Sequence, residues 1–178
     1  MTNTARLYGG SLYDLAAEEG ILDELMEQTT ELRQIFRENP DYLQLLSEPS
    51  IAKNERLGLI DQAFGGQLQK YLVNFVKLLC ERGLLWEYAG CCEEFARRYD
   101  VDHNIARAEV TSAVALTEQQ TEALTRKLEK ISGKNIRLTA RTDPSVLAGL
   151  RVELEGKLLD GTVQGRLSGI SRSLGQIS

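Results

Sequence analysis

From residue 5 to about residue 100 the apolar side chains recur every three or four positions, the period of a helix with one buried face. Residues 5–19 read as a first helix, stopped by Gly20. Leu22, Leu25, Thr29, Leu32 and Phe36 mark one face of a second, which ends at Asn39-Pro40. A short third helix around residues 42–46 is closed by Pro49. The fourth covers residues 52–64, with Ser50 as its expected cap and Gly65-Gly66 as its stop. The fifth runs over residues 67–82 to Gly83. The sixth starts near Leu84, with Leu85, Tyr88, Cys92, Phe95 and Tyr99 along one face. No stretch in this half alternates with a period of two, so the pattern predicts an antiparallel six-helix bundle.

After residue 105 the period changes. Ala108, Val110, Ser112 and Val114 alternate with Arg107, Glu109, Thr111 and Ala113, the mark of a half-buried strand. Thr117-Glu118-Gln119-Gln120 is a capping-box pattern, and the helix behind it presents Leu124, Leu128 and Ile131 before Gly133. Ile136, Leu138 and Ala140 alternate next, up to a break at Asp143-Pro144. Leu150, Val152 and Leu154 follow, and a turn at Gly156 leads into Lys157-Leu158-Leu159. Past Asp160-Gly161, an amphipathic stretch carries Val163, Leu167, Ile170, Leu174 and Ile177. The predicted fold class is therefore α+β: an N-terminal six-helix bundle and a small C-terminal β-α-β-β-β-α domain.

Composition places the boundary. All eleven aromatic residues lie between Tyr8 and Tyr99. Residues 1–105 carry a net charge of −8 and residues 106–178 a net charge of +3. Two domains, 1–105 and 106–178, are expected within the 178-residue chain. The second is small and lacks aromatics, so alone it has little core to hold it together.

The acidic first half argues against nucleic acid, whose phosphates call for Lys and Arg. Apolar runs are too short to span a bilayer. Residues 1–6 have no apolar signal region, so no secretory signal is expected. Three cysteines, two of them adjacent as Cys91-Cys92, fit a reducing compartment, and Cys92 sits on an apolar stripe as a small hydrophobe. His103 is the single histidine and falls in the expected linker. Asp143 and Asp160 read as turn residues rather than paired catalytic carboxylates. No phosphate-binding loop, dinucleotide fingerprint, zinc motif or nucleophile elbow is present, so neither catalysis nor a cofactor is expected.

The informative feature is the fifth helix. With Leu68 at 0° and 100° per residue, Leu78, Tyr71, Phe75, Leu79, Leu72, Val76, Cys80 and Val73 occupy an arc of about 220°. A surface helix needs only about half of that. A central helix packed on several sides accounts for such an arc, and so does a helix that lends part of it to a partner helix. The first helix is similar. Ala5, Leu7, Tyr8, Leu12 and Leu15 wrap around more than one side, and Gly9-Gly10 interrupts them at a cost of roughly 1 kcal/mol each relative to alanine. Such small residues suit close backbone approach, by a partner or by a sister helix.

Several stretches together resemble the delta-subunit family of the F-type rotary ATP synthase, the bacterial relatives of the mitochondrial oligomycin-sensitivity-conferring protein. They are Ala5-Arg6-Leu7-Tyr8 with Leu12 and Ala16, Asn74-Phe75-Val76-Lys77-Leu78-Leu79 with Arg82-Gly83-Leu84-Leu85, Ala108-Glu109-Val110-Thr111-Ser112-Ala113 running into Leu116-Thr117-Glu118-Gln119-Gln120, and Asp143-Pro144-Ser145-Val146-Leu147-Ala148-Gly149-Leu150 with Asp160-Gly161-Thr162-Val163. The chain departs from the family at Ala148, where a glycine is frequent, and at Thr162, where serine is.

The resemblance implies a non-catalytic stator subunit of the peripheral stalk, present once per complex. Such a subunit ties the catalytic head to the stalk so that the head resists rotor torque. It implies that the N-terminal domain binds the N-terminal helix of an alpha subunit between its first and fifth helices. Carried over by position, Tyr8, Ser11 and Leu12 form one wall, and Phe75, Leu78 and Leu79 the other. It also implies that the C-terminal domain meets the C-terminal ends of the b subunits, here through Val163, Leu167, Ile170 and Leu174. The implied location is the cytoplasmic face of a bacterial cell membrane, reached only through the complex. The alternative from a different class is a free helical-bundle adaptor binding another amphipathic helix; it needs no stalk-binding C-terminal half.

Overall fold

A computed structural model describes residues 1–146 and 149–160. The chain divides into two compact units, Met1–Tyr99 and the residues from Asp100 onward. Its fold is α+β, with seven α-helices and a four-stranded mixed sheet among the described residues.

Six helices precede the sheet. They are α1 (Asn3–Glu18), α2 (Leu22–Glu38), α3 (Pro40–Ser47), α4 (Lys53–Phe64), α5 (Lys70–Glu81) and α6 (Tyr88–Asp102), the last entered through a 3-10 turn at Leu85–Glu87. Thr2 caps α1 by accepting from the Ala5 N–H at 3.0 Å, and its hydroxyl donates to Glu87 Oε2 at 2.7 Å. That pair ties the start of α1 to the turn before α6. On α2 the expected stripe is the buried one: Leu25, Thr29, Leu32 and Phe36 all face inward. Edge-on aromatic contacts knit the interior, with Tyr13 on Phe95 at 5.3 Å and Phe36 on Tyr88 at 5.2 Å.

Ser50 does not cap α4. The cap position is Ala52, which makes no side-chain cap bond, and the Ser50 N–H is itself held by Glu48 Oε1 at 3.3 Å. Helix α5 starts three residues later than the pattern predicts. The Gln69 N–H donates to Gln28 Oε1 at 2.7 Å and the Leu68 N–H to Phe64 O at 3.2 Å, which holds the chain in a turn up to that point.

In the second unit β1 (Ile105–Ser112) is central. It pairs in parallel with β2 (Asn135–Thr142) and antiparallel with β3 (Leu150–Leu154), whose other edge carries β4 (Lys157–Asp160), for an order β2-β1-β3-β4. Helix α7 (Glu118–Ser132) joins β1 to β2. It begins with the expected capping box of Thr117 and Gln120 and ends at Gly133, whose φ of +69° closes a left-handed cap. Glu155 (φ +49°) and Gly156 (φ +78°) make the two-residue turn between β3 and β4.

Ala108, Val110, Leu128 and Val152 are the buried apolar core here. Three positions of the predicted pattern are exposed instead, one of them Ala140 near the end of β2. The Ser112 hydroxyl donates to Val114 O at 2.6 Å, which turns the chain off the sheet and leaves Val114 73% exposed. Ile131, on the last turn of α7, is exposed as well. The expected last helix, with Val163, Leu167, Ile170 and Leu174, lies outside the described residues.

Candidate partner-binding groove

The first unit presents an apolar groove of about 440 Å³ between α1 and α5. Leu7, Tyr8, Ser11, Leu12 and Leu15 line it from α1, and Tyr71, Asn74, Phe75 and Leu78 from α5. Both helices divide their apolar surface between the interior and this opening.

On α1 the division follows the helical period. Ala5, Gly9, Leu12 and Ala16 are buried at spacings of three and four residues. Small size on this face serves α6. A Cβ on Gly90 would lie 2.8 Å from that of Ala5, and one on Gly9 would run into the Cys91 backbone. The glycine pair is thus explained by a sister helix, and the other face of α1 is left to Leu7, Tyr8, Ser11 and Leu15. Ser11 Oγ donates to Leu7 O at 2.9 Å, so its one proton is used within the helix.

On α5 the wide arc is split in two. Leu72, Val73, Val76, Leu79 and Cys80 occupy one side of the helix, and all are buried. Tyr71, Asn74, Phe75 and Leu78 follow the three- and four-residue spacing along the adjoining side and line the groove. Phe75 forms the floor, 8% exposed and 6.4 Å from the Tyr88 ring, while Leu78 at 38% is open at the rim. Leu7 opposite is 68% exposed. Lys70 Nζ stands 4.7 Å from the centroid of the Tyr71 ring.

Five of the six residues expected to form the walls therefore meet at one opening: Tyr8, Ser11, Leu12, Phe75 and Leu78. Leu79 does not. It has no exposed surface and belongs to the core, because it lies on the buried side of the helix with Leu72 and Val76. Leu7, Leu15, Tyr71 and Asn74 join the walls without having been singled out for them. The wide arcs of both helices held that signal, but assigning each residue to core or rim needs the neighbouring helices in place.

Chemically the groove offers shape and apolar surface. It carries no ionised side chain to orient a small polar substrate, and its open apolar walls suit the i, i+3, i+4, i+7 face of an amphipathic helix. Among the described residues no group of three His, Cys, Asp or Glu side chains is placed to hold a metal ion. The three cysteines are free and buried. Burial, with Glu87 nearby, pushes the Cys91 thiol up to about 11, and burial pushes Cys92 up to about 12, so neither is a thiolate near neutral pH.

Residues 4–174 match the protein family described as ATP synthase delta (OSCP) subunit. The ATP synthase subunit delta of Desulfitobacterium hafniense (strain DSM 10664 / DCB-2) is 32% identical over 170 residues, which cover 96% of this chain and 95% of that one. That of Synechococcus elongatus is 28% identical over 178 residues, covering 98% and 99%. In fold, the chain resembles a chain of the Toxoplasma gondii mitochondrial ATP synthase hexamer solved by cryo-EM, with a TM-score of 0.68, 16% identity and coverage of 97% and 98%.

Proposed function

The chain belongs to the ATP synthase delta (OSCP) subunit family, and we propose that its α1/α5 groove is the seat for the N-terminal helix of an alpha subunit. The protein is a non-catalytic stator subunit of the F-type ATP synthase and associates with the membrane through the complex. No helix among the described residues is long and apolar enough to cross a membrane.

In this reading the first domain, residues 1–105, is a six-helix bundle that grips the catalytic head. The second, residues 106–178, is completed by its last stretch as a β-α-β-β-β-α domain. It meets the C-terminal ends of the b subunits through Val163, Leu167, Ile170 and Leu174. One copy joins head to stalk, on the cytoplasmic face of a bacterial cell membrane. The observation that carries the head contact is the groove itself. Its lining pairs exposed Leu7 of α1 and Leu78 of α5 with buried Leu12 and Phe75.

The work is mechanical. Torque on the head is resisted by contacts that dissociate slowly. Apolar burial contributes roughly 25 cal/mol per Å², less the ordering cost of association. A helix that fills the groove reaches nanomolar affinity when about −12 kcal/mol remains.

The test is calorimetric titration of the full chain with a synthetic peptide of the N-terminal segment of the alpha subunit from the same complex. Saturable 1:1 binding is expected, and Leu78→Asp should weaken it at least tenfold without changing the circular dichroism spectrum. Absence of binding by both heat and fluorescence anisotropy removes the proposal.

A further inference from the structure

Four of the nine residues lining the α1/α5 groove carry a polar side-chain atom: Tyr8, Ser11, Tyr71 and Asn74. Three of them are readily reconciled with an apolar partner. The Ser11 hydroxyl already donates to Leu7 O. A tyrosine packs its ring and keeps its hydroxyl at the far end, where water still reaches it.

Asn74 is different. It is exposed, and its side-chain amide has no hydrogen-bond partner among the described residues. A single methylene joins that amide to the helix, so it cannot swing clear of a body laid on α5. The helical spacing sets it between Tyr71 and Leu78 and next to Phe75 on the same wall. Asparagine in the second turn of the 12-residue α5 also weakens the helix. Leucine there would favour the helix and extend the apolar wall. A local rule broken inside an otherwise consistent element marks a position kept for function.

We propose that Asn74 sets the register of the helix seated in the groove, by hydrogen-bonding one uncharged polar side chain (Asn, Gln, Ser or Thr) within that helix's apolar stripe. The proposal rests on the groove reading above and adds the chemistry of one residue of the partner. Apolar contact alone fixes register weakly, because a stripe moved by one turn again presents apolar side chains to Leu7, Leu12, Phe75 and Leu78. A single enclosed asparagine does fix it, since every shifted register leaves the amide dehydrated and unpaired. The partner's group is uncharged, because the groove lining holds no ionised side chain to offset a charge enclosed there. An amide both donates and accepts, so it matches a hydroxyl or a second amide and disfavours an aliphatic side chain at that position.

The experiment uses the full chain and a synthetic peptide of the N-terminal segment of the alpha subunit, with a photoreactive benzophenone at one fixed position. Irradiation followed by peptide mass spectrometry reads the register. The parent should cross-link at one position on α1 or α5. Asn74→Leu should spread the cross-links over positions at least one helical turn apart, with the melting temperature preserved because the side chain is exposed. A single unshifted site in Asn74→Leu overturns the proposal. Affinity supplies a second readout. Asn74→Ala should weaken binding about fivefold or more, the cost of stranding the partner's polar group in an apolar site. Each Asn, Gln, Ser and Thr of the peptide is then replaced by alanine in turn. One replacement should weaken binding to the parent similarly and lose nothing further against Asn74→Ala, the mark of a direct pair in a double-mutant cycle. Unchanged or tighter binding by Asn74→Ala, or no peptide position coupled to it, overturns the proposal and leaves the groove reading standing. A parent chain that fails to bind the peptide removes both.

Discussion

Gly9 of α1 lies against the backbone of Cys91 in α6, so close that a Cβ on Gly9 would stand 2.9 Å from the Cys91 Cα and nearer still to its carbonyl oxygen. Neither atom is the end of a flexible side chain, so any larger residue must push the two helices apart.

Gly9→Ala is therefore expected to destabilise the first unit by about 2 kcal/mol, the cost of overpacking less the gain in helix propensity. Gly58→Ala makes the opposite case. It sits in α4 with open space around its Cβ, and should stabilise by roughly 0.5–1 kcal/mol. Urea unfolding followed by the fluorescence of Trp86, the single tryptophan, reads both from within the first unit.

Phe75 and Leu78 share the groove but should respond differently to charge. Phe75 is the buried floor against Tyr88, so Phe75→Asp is expected to cost at least about 3 kcal/mol of stability and to lose binding through unfolding. Leu78→Asp, at the rim, should leave the melting temperature within about 2 °C of the parent and weaken binding of the alpha-subunit peptide at least tenfold. Thermal melts beside the titrations check the pair.

Glu94 anchors the acid side of the stability profile. Its side chain is enclosed and accepts from Arg97 at 2.7 and 2.8 Å and from Arg98 at 3.2 Å. Hydrogen bonds from Arg97, then Arg98, hold its carboxyl below the ordinary value of 4.5 despite the burial. A depressed carboxyl contributes stability that is present above its unfolded value and lost as pH falls through the folded one. Unfolding free energies measured from pH 7 to pH 3 should fall below about pH 4.5. In Glu94→Gln the fall should be shallower, from a neutral starting point about 2 kcal/mol lower.

The cysteines shape the alkaline side. Burial raises Cys91 to about 11 and Cys92 to about 12 from an ordinary 9.0, and it holds Tyr88 well above its ordinary value too. A raised acid contributes stability that is complete below the unfolded value and lost as pH climbs through the folded one. Stability should thus decline from pH 9 upward, by at most about 1.4 kcal/mol per pH unit for each thiol. Cys92→Ala should make that decline shallower, as unfolding curves between pH 8 and pH 11 will register. In the folded protein at pH 8 no thiol should react rapidly with a disulfide reagent, because all three are buried.

The amphipathic period was enough to find the stripe of α2, the capping box of Thr117 with Gln120, and the wide arcs of α1 and α5, because each is written in residues close along the chain. It also located the change from helices to sheet near Asn104. Which neighbour would cover a given apolar residue was not written there. Leu78 and Leu79 are adjacent in sequence and both apolar, yet one is rim and the other core. Gly9 and Gly10 break a helical pattern, and only the approach of Cys91 and Arg98 explains them. Ser50 has the chemistry of a cap but stands two residues too early, since the path of the loop decides where α4 begins. Val114 continues an alternation that a Ser112 hydrogen bond cuts short. Local sequence sets which face of an element is apolar, because that follows from backbone geometry alone. Whether the face becomes interior or groove depends on where segments far apart in the chain come to rest, and that is decided only when the units pack.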